Sequence, residues 1–125
     1  QEIIQVMNKI KPPYNINQAS QELTLQALEE VGQVNDMIKE IVLQRDLLAK
    51  DLLTIPIVQK IYPSDANFLL VQVTEPKPLY KYLLEQGIVV RDRSSVELCA
   101  GCLRITVGTP SENVSVVNAI KNWKA

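Results

Sequence analysis

The sequence has no histidine, only two cysteines, four glycines, and almost no excess of either charge, with 13 basic against 14 acidic side chains. Each scarcity closes off some chemistry. Without histidine the commonest general acid-base group is missing, and no Ser/His/Asp set can be assembled. The two cysteines form C-A-G-C at Cys99 to Cys102. With no second cysteine pair and no histidine, they cannot complete a four-ligand zinc site. A redox reading of the motif asks for a thiol at a helix start, but here the motif runs straight into a strand, so reduced, partly buried cysteines are expected. A net charge of −1 and a calculated pI near 5.5, with scattered basic residues, leave no electrostatic footprint for nucleic acid or an acidic membrane. No apolar run approaches the roughly 20 residues of a membrane span, and no basic-apolar-small pattern marks a secretory signal. A soluble cytosolic protein is the default reading. Glycine-rich phosphate loops and positioned carboxylate pairs are also absent, and the nine lysines lie in helices or turns without the surroundings of a cofactor Schiff base.

What remains is ordinary globular material: 125 residues, 46% hydrophobic, enough for one domain with a modest core. Ile3, Ile4, Met7 and Ile10 recur at helical spacing immediately after Gln1, with no cap before them, so the chain is expected to begin inside an element, as the C-terminal piece of a longer polypeptide. Lys11-Pro12-Pro13 ends that helix, and Tyr14 to Asn17 reads as an extended connector. Asn17 or Ser20 caps the next element, where Leu28, Val31, Val34, Ile38, Ile41, Leu48 and Leu52 recur at steps of three, four or seven. The pattern predicts one amphipathic helix of roughly 30 residues, with Gly32 its weak point. Arg45 falls on the stripe, which argues for packing across a sheet or bridging domains rather than for a coiled coil.

Ile57 to Tyr62 and Asn67 to Val73 read as a hairpin around Pro63-Ser64-Asp65-Ala66. Pro76-Lys77-Pro78 opens a further helix, and Gly87 suits the left-handed position just past its end. Two apolar runs, Ile88 to Val90 and Leu103 to Val107, read as buried strands. Thr109-Pro110-Ser111-Glu112 is a capping box for a closing helix that buries Val114, Val117 and Ile120, with Trp123 beside them. The sum is an α+β domain: a small, mostly antiparallel sheet covered by helices, one of them long.

Arginines interrupt both late strands. Arg91 ends the first, within R-D-R, where it either pairs with Asp92 in a solvated loop or joins a site. Arg104 lies inside the second. Alternation puts Leu103, Ile105 and Val107 on one face, with Cys102, Arg104 and Thr106 on the other. A strand-interior guanidinium needs several acceptors, and a carboxylate or phosphate supplies them in the fork geometry that arginine fits. Asn67, at the start of its strand, either satisfies a turn backbone group or faces a site.

The segments G-I-V-V-R-D-R (Gly87 to Arg93) and C-L-R-I-T-V-G-T-P-S-E-N (Cys102 to Asn113), with K-P-P-Y-N-I-N at Lys11 to Asn17 and Y-P-S-D-A-N-F-L-L at Tyr62 to Leu70, resemble the C-terminal part of histidinol-phosphate aminotransferases. These are pyridoxal-phosphate enzymes of the aspartate-aminotransferase-like fold. The resemblance covers nearly the whole chain, in order, but not a whole enzyme. It implies an aminotransferase small domain over residues 17–125, preceded over residues 1–16 by the end of the large-domain segment and its connector. It further implies a homodimeric parent that exchanges an amino group between glutamate and imidazole-acetol phosphate in histidine synthesis, with histidinol phosphate as the other substrate. Carried over by position, Arg104 holds the substrate carboxylate beside the cofactor and must serve the phosphate as well, Arg91 is a second phosphate contact, and Asn67 becomes a candidate contact. The cofactor lysine, its aspartate partner and the phosphate-binding groups lie upstream in that family, so the resemblance implies no catalytic or cofactor-binding residue in this segment and no activity for it alone. An aminotransferase of other specificity is the nearest alternative. A non-catalytic carboxylate- or phosphate-binding module, or an interaction domain that uses the long helix, is the reading from another class. Nucleic-acid, membrane and metal partners are not expected.

Overall fold

The computed structural model describes residues 2–11 and 16–124, and the chain divides into two compact units, Gln1–Asp36 and Met37–Ala125. The prolines of the first turn signal and Tyr14 lie outside the described residues.

In the first unit, α1 (Glu2–Ile10) presents Ile3, Ile4, Met7 and Ile10, all exposed. The second helix, α2 (Gln18–Glu29), starts as its cap predicts: Asn17 Oδ1 accepts the Ser20 N–H at 2.8 Å, satisfying one of the free donors of a helix start. α2 does not run on unbroken. Glu30 leaves the helical region at φ −99° and ψ 28°, and its N–H bonds to the Ala27 carbonyl, three residues back. The helix expected as one piece of about 30 residues is therefore two, α2 and the 23-residue α3 (Val31–Leu53). The break falls two residues before Gly32. α3 remains the long helix of the fold.

The second unit holds the later part of α3 and a four-stranded antiparallel sheet in the order β1-β2-β4-β3, made of β1 (Val58–Ile61), β2 (Phe68–Val73), β3 (Arg91–Asp92) and β4 (Cys102–Thr106). The hairpin of β1 and β2 stands where its turn residues placed it. Ser64 Oγ closes the turn, donating to the Phe68 carbonyl at 2.6 Å and accepting from Ala66 N–H at 3.2 Å. Two more helices follow the pattern, α4 (Pro76–Glu85) and α5 (Pro110–Asn122). Gly87 takes φ 75° just beyond α4, a conformation that costs glycine nothing. Thr109 and Glu112 cap α5 reciprocally, as predicted.

One face of the sheet packs into the core and the other does not join it. Leu69, Val71, Val73, Leu103 and Ile105 alternate inward, and Leu48 and Leu52 of α3, Leu79 and Leu83 of α4, and Val116, Val117 and Ile120 of α5 pack on them in a single core. Burying a side chain of this size contributes about 1.5–3 kcal/mol.

Two further expectations need correction. Ile88 to Val90 is not a strand: Val89 is 80% exposed, and only Arg91–Asp92 pairs with β4. An apolar run of three cannot make a strand without a neighbour to bond, and here Ile88 N–H turns back to the Leu83 carbonyl at 2.8 Å instead. The closing helix buries Asn113 and Val116 where Val114 was expected, and Val114 is 56% exposed. Asn113, Val116, Val117 and Ile120 form the i, i+3, i+4, i+7 stripe, whose first member is polar and so escaped an apolar count.

Candidate anion-binding site

The side of the sheet away from the core carries the candidate site. Register places Leu70 opposite Arg104, and Arg104 opposite Arg91, so the two arginines are nearest neighbours on adjacent strands. Side chains so paired have Cβ atoms about 4.5–5.5 Å apart. Among the described residues no carboxylate lies within 4.0 Å of either. Asp92 does not partner Arg91. Its Oδ1 accepts the Ser94 N–H at 2.8 Å and the Ser94 hydroxyl at 2.5 Å. Those bonds, with a smaller contribution from the Lys77 charge, hold the Asp92 carboxyl below its ordinary range.

Arg104 is half-buried, and its Nε is buried with no hydrogen-bond partner. Its guanidinium lies 5.1 Å from the centre of the Phe68 ring, an attraction that fixes the guanidinium's position without satisfying its donors. A buried donor left unpaired costs about 1–3 kcal/mol. The two arginines are thus a candidate site for an anion, which a guanidinium accepts through its fork of donors. Phe68 is a neighbour of Arg104 that the chain pattern did not single out, although its alternation with Leu70 would have placed it there.

Asn67 stands just before β2, one residue out of phase with Phe68 and Leu70. Its carbonyl accepts the Val107 N–H at 2.9 Å. The structure thus brings Arg91 and Arg104 together on β3 and β4 and sets Asn67 at the end of the β2–β4 pair, in phase with the opposite face. Two adjacent residues of α3 hold that end. Arg45 Nη1 donates to the Ala66 carbonyl at 3.2 Å, and Gln44 Oε1 accepts from Asn113 Nδ2 at 3.2 Å. Asn113 in turn accepts the Gly108 N–H at 2.9 Å and donates to the Gly108 carbonyl at 3.1 Å. Sequence pattern did not reveal this clamp, because its members lie 69 positions apart.

A cleft of about 470 Å³ lined by Tyr80, Val89, Val90, Arg91, Asp92 and Arg93 opens beside Arg91. A larger one of about 600 Å³ lies between the Gly87 to Val90 segment, the end of β4 and the start of α5. The larger cleft contains neither arginine, and the charge argues for the arginine face. Cys102 is buried, and burial, with the neighbouring Cys99, pushes its thiol up, partly offset by Lys60. It is not an activated nucleophile. Among the described residues no group of three or more cysteine, aspartate or glutamate side chains is placed to hold a metal, and no helix is long and apolar enough to cross a membrane.

This helix-flanked antiparallel sheet has its counterpart in a known class of protein: residues 1–120 match the aminotransferase class I and II family, and the chain belongs to it. Among its relatives, the histidinol-phosphate aminotransferase of Parabacteroides distasonis is 51% identical over 98% of this chain and 36% of its own length. That of Cytophaga hutchinsonii is 47% identical over 98% of this chain and 35% of its own. The chain thus spans about a third of the length of the curated relatives it matches. In three dimensions it is similar to the histidinol-phosphate aminotransferase from Clostridium acetobutylicum, with a TM-score of 0.80 at 22% identity over 96% of this chain and 37% of that one. It is also similar to a decarboxylase from Sulfurospirillum multivorans, with a TM-score of 0.76 at 26% identity over 96% of this chain and 32% of that one. The α+β small-domain architecture expected from sequence is the one found.

Proposed function

We propose that this chain is the small domain of a histidinol-phosphate aminotransferase, an enzyme that moves an amino group between glutamate and imidazole-acetol phosphate in histidine synthesis. The observation that carries the reading is the cross-strand pair of Arg91 and Arg104, with the buried Nε of Arg104 lacking an acceptor. Two donors in one plane suit a phosphate, and a carboxylate equally fits the fork of Arg104 alone. One site of this kind serves a phosphorylated substrate and glutamate in turn. Asn67, at the end of the β2–β4 pair but in phase with the opposite face, is the further candidate contact in this reading. The relatives' names support the substrate, and the likeness to a decarboxylase is a reminder that fold alone does not choose the reaction.

Pyridoxal phosphate, when bound, supplies the electron sink for amino transfer. The residues of this chain do not fit it. All nine lysines are exposed, and the Lys60 ammonium rests 4.4 Å from the Tyr62 ring centre, so no desolvated amine is available to hold the cofactor as an imine. In the proposed whole protein a large domain supplies that lysine, two copies associate as a homodimer, and the enzyme is cytoplasmic.

The test is amino transfer by the full-length protein, with glutamate as donor and imidazole-acetol phosphate as acceptor. Arg104→Ala should lower kcat/KM by about 10²-fold or more, the loss of roughly 3 kcal/mol of charge-assisted binding, while the cofactor's visible absorbance is retained. Loss of cofactor in step with activity would count against the assigned role of Arg104. If the parent transfers no amino group yet binds phosphate through both arginines, the non-catalytic reading replaces this one.

A further inference from the structure

C-A-G-C closes a hydrogen-bonded turn. The Cys102 N–H donates to the Cys99 carbonyl at 3.0 Å, and Gly101, at φ 75°, occupies the third position, where a type II turn needs a left-handed residue. Such a turn brings its first and last Cα atoms within about 7 Å, and a disulfide spans Cα atoms about 4.4–6.8 Å apart. The turn is firmly seated: the Gly101 carbonyl accepts the Val73 N–H at 2.9 Å, and the Cys102 carbonyl accepts the Arg93 N–H at 2.9 Å. The Cys102 sulfur folds back over the turn, 3.7 Å from the Ala100 carbonyl oxygen. Its thiol also feels Cys99 electrostatically. Both cysteines are free, Cys99 half-buried and Cys102 fully buried. The loop that leads to them is open to solvent, with Leu98 90% exposed at φ 63°.

We propose that Cys99 and Cys102 are a reversible dithiol–disulfide pair whose oxidant is a low-molecular-weight disulfide. The accessible Cys99 thiolate attacks one sulfur of the reagent, RSSR, forming a mixed disulfide as RS⁻ leaves. Cys102 loses its proton, its sulfur attacks Cys99 Sγ, and the second RS⁻ departs. Two cysteine sulfurs are oxidised, and the reagent is reduced to two thiols that take up the two protons. The division of labour follows from burial: Cys102 meets no bulky reagent and needs only to reach Cys99. Closing the bond locks the turn that leads into β4, two residues before Arg104 on the same face of that strand. The pair is independent of the proposed amino transfer.

The test treats the full chain with glutathione disulfide, quenches by alkylation and weighs the product. Loss of both alkylatable thiols, with no retained glutathione, no link between chains, and full reversal by dithiothreitol, is the expected result. Cys102→Ser should retain one glutathione on Cys99, and Cys99→Ser should leave Cys102 unmodified in the folded protein. A wild-type chain that keeps both thiols, or keeps glutathione on Cys99 beside a free Cys102, or links to a second chain, overturns the proposal. The wild-type measurement stands even if a variant fails to fold.

Discussion

Arg91 and Arg104 face each other across β3 and β4 without a carboxylate between them among the described residues. In the proposed site an anion binds the folded chain and not the unfolded one, which stabilises the fold by mass action. Phosphate should therefore raise the thermal midpoint more than chloride at equal ionic strength, contributing about 2.7 kcal/mol at a hundredfold excess over its Kd. Arg104→Met should abolish the difference. Equal effects of phosphate and chloride on the wild-type chain, measured by calorimetry, would remove the anion site.

The clamp from α3 to the end of β4 predicts a graded series. Asn113 is buried and spends its amide on Gly108 and Gln44, so Asn113→Ala should cost about 1–3 kcal/mol in urea unfolding. Gln44→Glu keeps the acceptor that Asn113 Nδ2 needs and should cost less than Gln44→Leu. The reverse order would show that the contact contributes nothing.

Burial along α5 separates two aliphatic residues six positions apart. Ile120 is 1% exposed and Val114 is 56% exposed. Ile120→Ala should lose about 2–5 kcal/mol, whereas Val114→Ala should stay within about 0.5 kcal/mol of wild type. Chemical denaturation of both variants checks the face assignment. Similar losses at the two positions would contradict it.

Acid should destabilise the fold through Asp92 and Glu112. Hydrogen bonds from Ser94 lower the first, and bonds from the Thr109 N–H and hydroxyl lower the second. A depressed folded-state pKa contributes stability that is full above the unfolded value, about 4 for these groups, and is lost as pH falls through the lower folded value. Asp92→Asn with Glu112→Gln should flatten the stability profile on the acid side of pH 4 and leave its neutral limb parallel to wild type. An unchanged acid slope in the double variant would assign the sensitivity elsewhere.

Local chemistry made several features legible in advance. The Thr109 to Glu112 capping box, the left-handed Gly87, the Asn17 cap and the hairpin turn around Pro63 each depend on residues within a few positions of one another. Strand alternation likewise put Arg104 on the face away from Leu103 and Ile105. The clamp was not legible because its partners lie 69 positions apart; the break at Glu30 and the fate of Ile88 to Val90 turn on local backbone bonds, to Ala27 and Leu83, that no side-chain pattern announces. Asn113 shows the limit most clearly: its place in the buried stripe follows from period, but its polarity makes sense only beside Gly108 and Gln44.

By itself, then, the sequence determined which segments are helix, turn and strand wherever caps, prolines and alternation decide them, and it marked the arginines as out of place in a core. Tertiary structure alone decided that they belong together. Arg91 and Arg104 are 13 positions apart, and only the register of a two-residue strand against β4 makes them neighbours. Only the core packed against Leu69, Val71, Val73, Leu103 and Ile105 leaves the two arginines together on the other face, as the proposed anion site requires.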